Sequence, residues 1–155
     1  HNYYGGEHIG ATDNGAGVAS LVAVAKLVAT QSPILTVRFV FMGAEETGME
    51  GSQFYVKQLT SQELANHVAV VNVDSVGAGD FLNIHSSHTD VEVYGKHCRK
   101  MGYALEQYSS SPVWRDSIFA ASGKSLVIHP AVPGYPYGEG VPFSDQMPFA
   151  CAGIP

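Results

Sequence analysis

A chain of 155 residues that is 45% apolar and only 14% charged has material for about one domain with a sizeable core. Its formal charge of -6, with no Lys/Arg cluster, excludes a general nucleic-acid binder. No apolar run reaches the ~18 residues of a membrane span, and no secretory leader is visible. Residues 1–155 are read as one domain. The opening on His1 and the end on the apolar GIP are read as cuts, at both ends, from a longer protein.

In chain order, HNYYGGEHIGATDNGAG is glycine-rich and polar and predicts a loop. GVASLVAVAKLVAT, from Gly17 to Thr30, predicts a helix. Its apolar residues lie nearly all round, which predicts burial against a sheet. ILTVRFVFM, at 34–42, predicts a central strand covered on both faces. GSQFYVKQLTSQELANH reads as a helix or helix pair with Phe54, Val56 and Leu59 facing inward. HVAVVNV predicts a second buried strand ending at Asp74, and FLNIHS a third. DVEVYGKHCRKMGY predicts a more polar surface helix, and SLVIHP a short strand. The prolines and glycines of AVPGYPYGEGVPFSD forbid regular structure and predict a long shaped loop.

This alternation predicts an α/β fold of three layers, a largely parallel mixed sheet with helices on both faces. Ligands of such sheets bind beyond the carboxyl ends of the strands, where Glu45, Glu46 and Asp74 all stand. Cys98 and Cys151 have no CxxC spacing and are read as two buried thiols, with a disulfide as the other reading.

Asp13, Glu45, Glu46 and Asp74 all fall at loop–element junctions flanked by apolar or glycine-rich sequence. Carboxylates crowded into a poorly hydrated cleft must share protons or hold a cation. His1 adds a nitrogen donor of the kind zinc takes beside carboxylate oxygen. With Asp13, Glu46 and Asp74 as ligands, a pair of divalent zinc ions and one hydroxide make a neutral site. Glu45 is then free to accept a proton, since successive extended residues face opposite sides.

GATDNGAGVASLVAVAKL, TVRFVFMGAEETGMEGSQFYV, VVNVDSVG and PFSDQMPFACAGIP, in this order, resemble the co-catalytic zinc aminopeptidase family. The resemblance implies a zinc exopeptidase fold and hydrolysis of the N-terminal peptide bond through a metal-bound water. It implies zinc at two sites, a peptide substrate and an extracytoplasmic location. Asp13 matches the carboxylate that bridges the zincs, Glu46 and Asp74 match ligands of one zinc each, and Glu45 matches the general base. His1 stands where a ligating histidine is expected, although an alternative alignment puts Asn2 in the place of the family's orienting Asp and the ligand upstream.

The sequence departs from the family pattern at three points. Tyr3 stands where the Asp that orients the ligating imidazole is expected. The second zinc's histidine lies past the GIP segment, so that site lacks its nitrogen ligand and this chain is expected to bind zinc at one site or to be inactive. Gln146 stands where many relatives carry His, which predicts a pocket or supporting role. Absent strands ahead of His1 would expose an apolar sheet edge, a site for self-association.

Other readings follow from the same residues. The chain is alternatively a metal-free relative acting as a binding domain, or a glutaminyl-cyclase-like zinc acyltransferase. Asp13 would then be an Asx-type cap and Asp74 a turn residue. His8, His67, His85, His88 and His97 are read as surface residues and His129 as a buried, satisfied histidine near the cleft. Phe143, Met147 and Phe149 either line a pocket for the substrate's first side chain or pack beneath the long loop.

Overall fold

The computed structural model describes residues 9–77, 83–84, 91–104, 107, 109, 112–123, 127–128 and 144–155. A π-helical turn, Ala11–Ala16, leads into helix α1, Gly17–Val28; within the turn Asp13 and Asn14 leave helical backbone, and the Asp13–Asn14 peptide is cis. α1 forms where the sequence predicts a helix but is not buried as predicted. Val18, Val22 and Val24 are exposed, and Leu27 is 63% exposed. Only Gly17 is buried, because a Cβ there would run into the Asn14 side chain and the Val73 carbonyl.

The 51–67 segment forms a helix pair, α2 (Glu50–Gln58) and α3 (Ser61–Asn66). α3 opens on a capping box. The Glu63 N–H donates to Thr60 Oγ1 at 3.2 Å, and the Thr60 N–H donates to Glu63 Oε2 at 2.9 Å. The Thr60 N–H and the Thr60 hydroxyl, both donating to Glu63 Oε2, hold the Glu63 carboxyl below its usual range. α2 turns Ser52 and Val56 inward, one helical turn apart, while Phe54 is 67% exposed, contrary to the expectation for it.

The polar helix α4 (Val91–Lys100) forms as predicted. Helices α5 (Pro112–Ala121) and α6 (Gln146–Cys151) were not anticipated. α5 carries its own start and stop signals, a proline at its first position and Gly123 at φ 65° just past its end.

α6 is the centre of packing. Met147, Pro148, Phe149, Ala150 and Cys151 are all buried. One flank joins Met147 and Cys151 to Cys98 of α4, with Met49, Met101 and Tyr103 around them. The other flank joins Phe149 and Ile154 to Val56 of α2, with Tyr55 tilted against Phe149 at 5.8 Å between rings. Cys98 and Cys151 form a disulfide with Cα atoms 5.3 Å apart, so the reading as two free thiols is corrected.

The predicted three-layer, largely parallel sheet is not found. Among the described residues, strand pairing is confined to β1 (Asn83–Ile84) and β2 (Val127–Ile128), which run parallel with Asn83 opposite Val127. The 34–42 and 67–73 runs carry no ladder; Val70 N–H instead donates to the Pro155 carbonyl at 2.8 Å. Ile34, Leu35, Val37, Phe41, Val68 and Val71 are exposed. The physical reason is that an apolar run reports a demand for burial, whereas a strand also needs a neighbour's N–H and C=O groups about 4.8 Å away. The expected exposed sheet edge is therefore absent among the described residues, and exposed apolar side chains lie instead on α1, the 34–41 run, Phe54, Val68 and Val71.

The disulfide closes a loop across 53 positions, which in the chain-entropy account stabilises the fold by about 4 kcal/mol. Replacing Cys98 and Cys151 together by serine is expected to lower unfolding free energy by roughly 2–5 kcal/mol, read from urea denaturation. A loss below 1 kcal/mol would mean that α6 is held by its apolar contacts alone.

Candidate active site

Glu45 and Glu46 project from a turn whose backbone closes on itself. The Gly43 carbonyl accepts from Gly51 N–H at 3.1 Å and the Ala44 carbonyl from Glu50 N–H at 3.1 Å. The Glu45 carbonyl accepts from Gly48 N–H at 2.9 Å and Met49 N–H at 2.7 Å, and Thr47 Oγ1 donates to the Ala44 carbonyl. Ala44 and Met49 both sit at φ 58°, a left-handed conformation that costs on the order of 1 kcal/mol for a residue with a Cβ. Gly51 is held so close to Gly43 that a Cβ would strike its carbonyl oxygen.

Asn14 ties the segment of Asp13 to the segment of Asp74. Its Nδ2 donates to the Val73 carbonyl at 2.9 Å, and its Oδ1 accepts from Gly17 N–H at 3.1 Å and Ser75 N–H at 3.3 Å. One amide thus spans a separation of 59 residues and sets the start of α1 against the Asp74 turn. The sequence reading chose Asp13 from this motif and passed over Asn14. A side chain with both a donor and an acceptor, next to a carboxylate, was the available signal.

A third segment, Ser144 to Gln146, approaches from the start of α6. Ser144 Oγ donates to Asp74 Oδ2 at 2.7 Å and is itself 8% exposed. Asn72 Nδ2 donates to Ser144 Oγ at 2.8 Å and to Gln146 Oε1 at 3.0 Å. Ser52, fully buried in α2, donates to Asp145 Oδ1 at 2.7 Å. Burial raises the Asp145 carboxyl, with the Ser52 bond opposing and Asp74 adding to the rise. Ser144, Asp145, Asn72 and Ser52 escaped the sequence reading, because their role exists only once distant segments meet.

The carboxyls act on one another. Glu46 is raised chiefly by burial, then by Asp13 and Asp74. Glu45 is pushed up to about 7, chiefly by burial and then by Asp74, Glu46, Asp145 and Asp13. Asp13, Glu45, Glu46 and Asp74 thus lie near enough for their charges to act on Glu45 and Glu46. His1, Asn2, Tyr3, His8, His85, His88, His129 and Phe143 lie outside the described residues. Of the remaining histidines, His67 bonds the Glu63 carbonyl through Nδ1 at 2.6 Å at the end of α3, and both His67 and His97 are half-buried rather than fully at the surface. Met147 and Phe149, at 0% and 5% exposed, are core residues, which settles their two readings in favour of packing.

Among the described residues, no three His, Cys, Asp or Glu side chains close tightly enough to surround one ion. The donor chemistry nonetheless fits a divalent cation. Burial and the neighbouring Asp13 both raise Glu46, and a divalent cation beside such carboxylates relieves that repulsion.

The family model described as Peptidase family M28 matches residues 1–155. An aminopeptidase of Pseudomonas aeruginosa (strain UCBPP-PA14) is 40% identical over 74 residues, which is 48% of this chain and 14% of that protein. Leucine aminopeptidase 2 of Trichophyton rubrum is 38% identical over 74 residues, 48% of this chain and 15% of its own length. Aminopeptidase YwaD of Bacillus subtilis (strain 168) is 37% identical over 68 residues, 44% of this chain and 15% of its own. The aligned stretch is thus a small part of each curated relative. No solved structure gives a significant match.

The raised acids have a stability consequence with a definite sign. A carboxyl at about 7 in the folded protein and near 4.5 unfolded keeps its proton longer when folded. The stabilisation is complete below about 4.5 and is lost as pH rises through about 7. The metal-free protein is expected to melt at lower temperature at pH 8 than at pH 5, and Glu45→Gln to flatten that slope. Calorimetry at fixed ionic strength checks both. In the same turn, Gly51→Ala is expected to cost roughly 1–3 kcal/mol through its clash with Gly43, read from denaturant midpoints.

Proposed function

The chain belongs to peptidase family M28, and from that premise we propose that it is the core of a zinc-dependent aminopeptidase. The single observation that supports this reading is the tie that Asn14 makes between the segments of Asp13 and Asp74, with Ser144 bonded to Asp74 Oδ2. Asp13, Glu46 and Asp74 would hold zinc, with His1 as the nitrogen donor that the resemblance assigns. When bound, zinc supplies Lewis acidity toward the scissile carbonyl and toward water.

The chain's own groups do the rest. Glu45, unused as a ligand, takes a proton from the attacking water on its carboxylate oxygen as that water's oxygen adds to the carbonyl carbon. It returns the proton to the departing nitrogen as the C–N bond breaks. Ser144 orients Asp74 through its hydroxyl, and Asn14 fixes the backbone on either side of Asp13 and Asp74. The names of the relatives support an N-terminal rather than an internal cut. The Cys98–Cys151 disulfide supports an oxidising, extracytoplasmic location.

Hydrolysis of an aminoacyl-anilide by the purified full-length protein tests the reading. Activity is expected with zinc, to be lost on chelation and to return with added zinc. Glu45→Gln is expected to lower kcat by ~10²–10⁴ while zinc content is unchanged. A zinc-loaded protein that leaves the anilide intact but cyclises an N-terminal glutaminyl peptide would make it an acyltransferase. Absence of both activities and of bound zinc would leave a binding domain.

A further inference from the structure

Asp74 receives one hydrogen bond from the Ser144 hydroxyl, and a hydroxyl has only one proton to give. Whether that proton points at Asp74 depends on what else surrounds Ser144 Oγ. Asn72 faces it with Nδ2, a donor, at 2.8 Å. The second hydrogen of the same amide goes to Gln146 Oε1 at 3.0 Å. An Asn72 amide turned by 180° would set Oδ1 against Gln146 Oε1, acceptor against acceptor. It would also offer the Ser144 hydroxyl a competing acceptor in place of Asp74.

We propose that Asn72 and Gln146 form a polarity lock. Gln146 fixes which end of the Asn72 amide faces Ser144, and Asn72 thereby commits the Ser144 proton to Asp74. Both are positioning residues, acting on Asp74 through Ser144. The arrangement uses the carbonyl end of Gln146, the acceptor that receives the second Asn72 hydrogen. It also explains why Asn72 is an amide rather than a carboxylate two residues from Asp74. Asp at 72 would take the Ser144 proton for itself.

The inference rests on Asp74 as a zinc ligand, and zinc affinity is its readout, measured by competition with a chromophoric chelator. Asn72→Asp is isosteric and adds a negative charge, which by simple electrostatics tightens a cation. The lock predicts the reverse, a ~10–100-fold loss of affinity, the range for removing a group that orients a metal ligand. In a Ser144→Ala background the same Asn72→Asp change is expected to produce no loss, because there is no hydroxyl proton to redirect. Gln146→Glu keeps the acceptor and is expected to hold affinity within about threefold. Gln146→Met removes the acceptor and is expected to weaken binding.

Metal-free melting temperatures of all variants serve as the control for folding. An Asn72→Asp protein that binds zinc as well as wild type overturns the proposal, as does an equal loss with and without Ser144. If Asn72→Asp does not fold, the Gln146 pair decides: equal affinity in Gln146→Met and Gln146→Glu overturns the lock. A wild-type protein that takes up zinc while these variants fail to differ sinks the lock alone. A wild-type protein that takes up none sinks the metal centre with it.

Discussion

Negative charges of one sign, held within reach of one another and partly cut off from water, oppose the fold that gathers them. At an effective dielectric of about 20, two unit charges 4 Å apart repel by roughly 4 kcal/mol, against a whole-domain stability of about 5–15 kcal/mol. The cost shows in Glu45, pushed up to about 7, and in Glu46, raised by burial and by Asp13. A divalent cation would discharge the same repulsion without protons. The acids therefore form a place that favours bound positive charge.

Holding that place requires a scaffold that does not yield to the repulsion, and the chain divides the work between two kinds of bond. The acids themselves are fixed by polar bonds of long sequence reach: Asn14 to Val73 and Ser75, Ser144 to Asp74, Ser52 to Asp145. The element that presents Ser144 and Asp145 is fixed by apolar and covalent contacts. α6 is too short to be stable by itself, at Gln146–Cys151, and persists because both flanks are buried and its last residue is cross-linked to α4. Directional bonds set geometry, while the disulfide and core supply the stability those directions need.

This division explains what the sequence showed and what it did not. Local signals were readable. The apolar stretch of α1, the capping box of α3 and the polar face of α4 each lie within a few consecutive residues, and each helix formed. The acids drew notice because a paired Glu–Glu beside a turn and an Asp at the end of an apolar run are local patterns. The sheet was misread, since 34–42 and 67–73 announce apolar character but not the neighbour that a ladder requires. The 98–151 disulfide, the Asn14 tie and the Asn72–Ser144–Gln146 contacts each join residues whose sequence neighbourhoods carry no mark of the partner.

Strain is distributed in a way the sequence also conceals. Ala44, Met49 and Ser75 adopt left-handed backbone, and each stands within a few residues of an acid: Ala44 beside Glu45, Ser75 beside Asp74, Met49 closing the turn that carries both glutamates. Glycine would adopt these angles at no steric cost, yet none of the three is glycine. A Cβ in that region stiffens the turn even as it destabilises it, because fewer alternative conformations are open to the chain. Freedom in the turn would let Glu45 and Glu46 swing apart and shed their repulsion. Left-handed backbone at these three positions thus places strain beside acids that already oppose the fold.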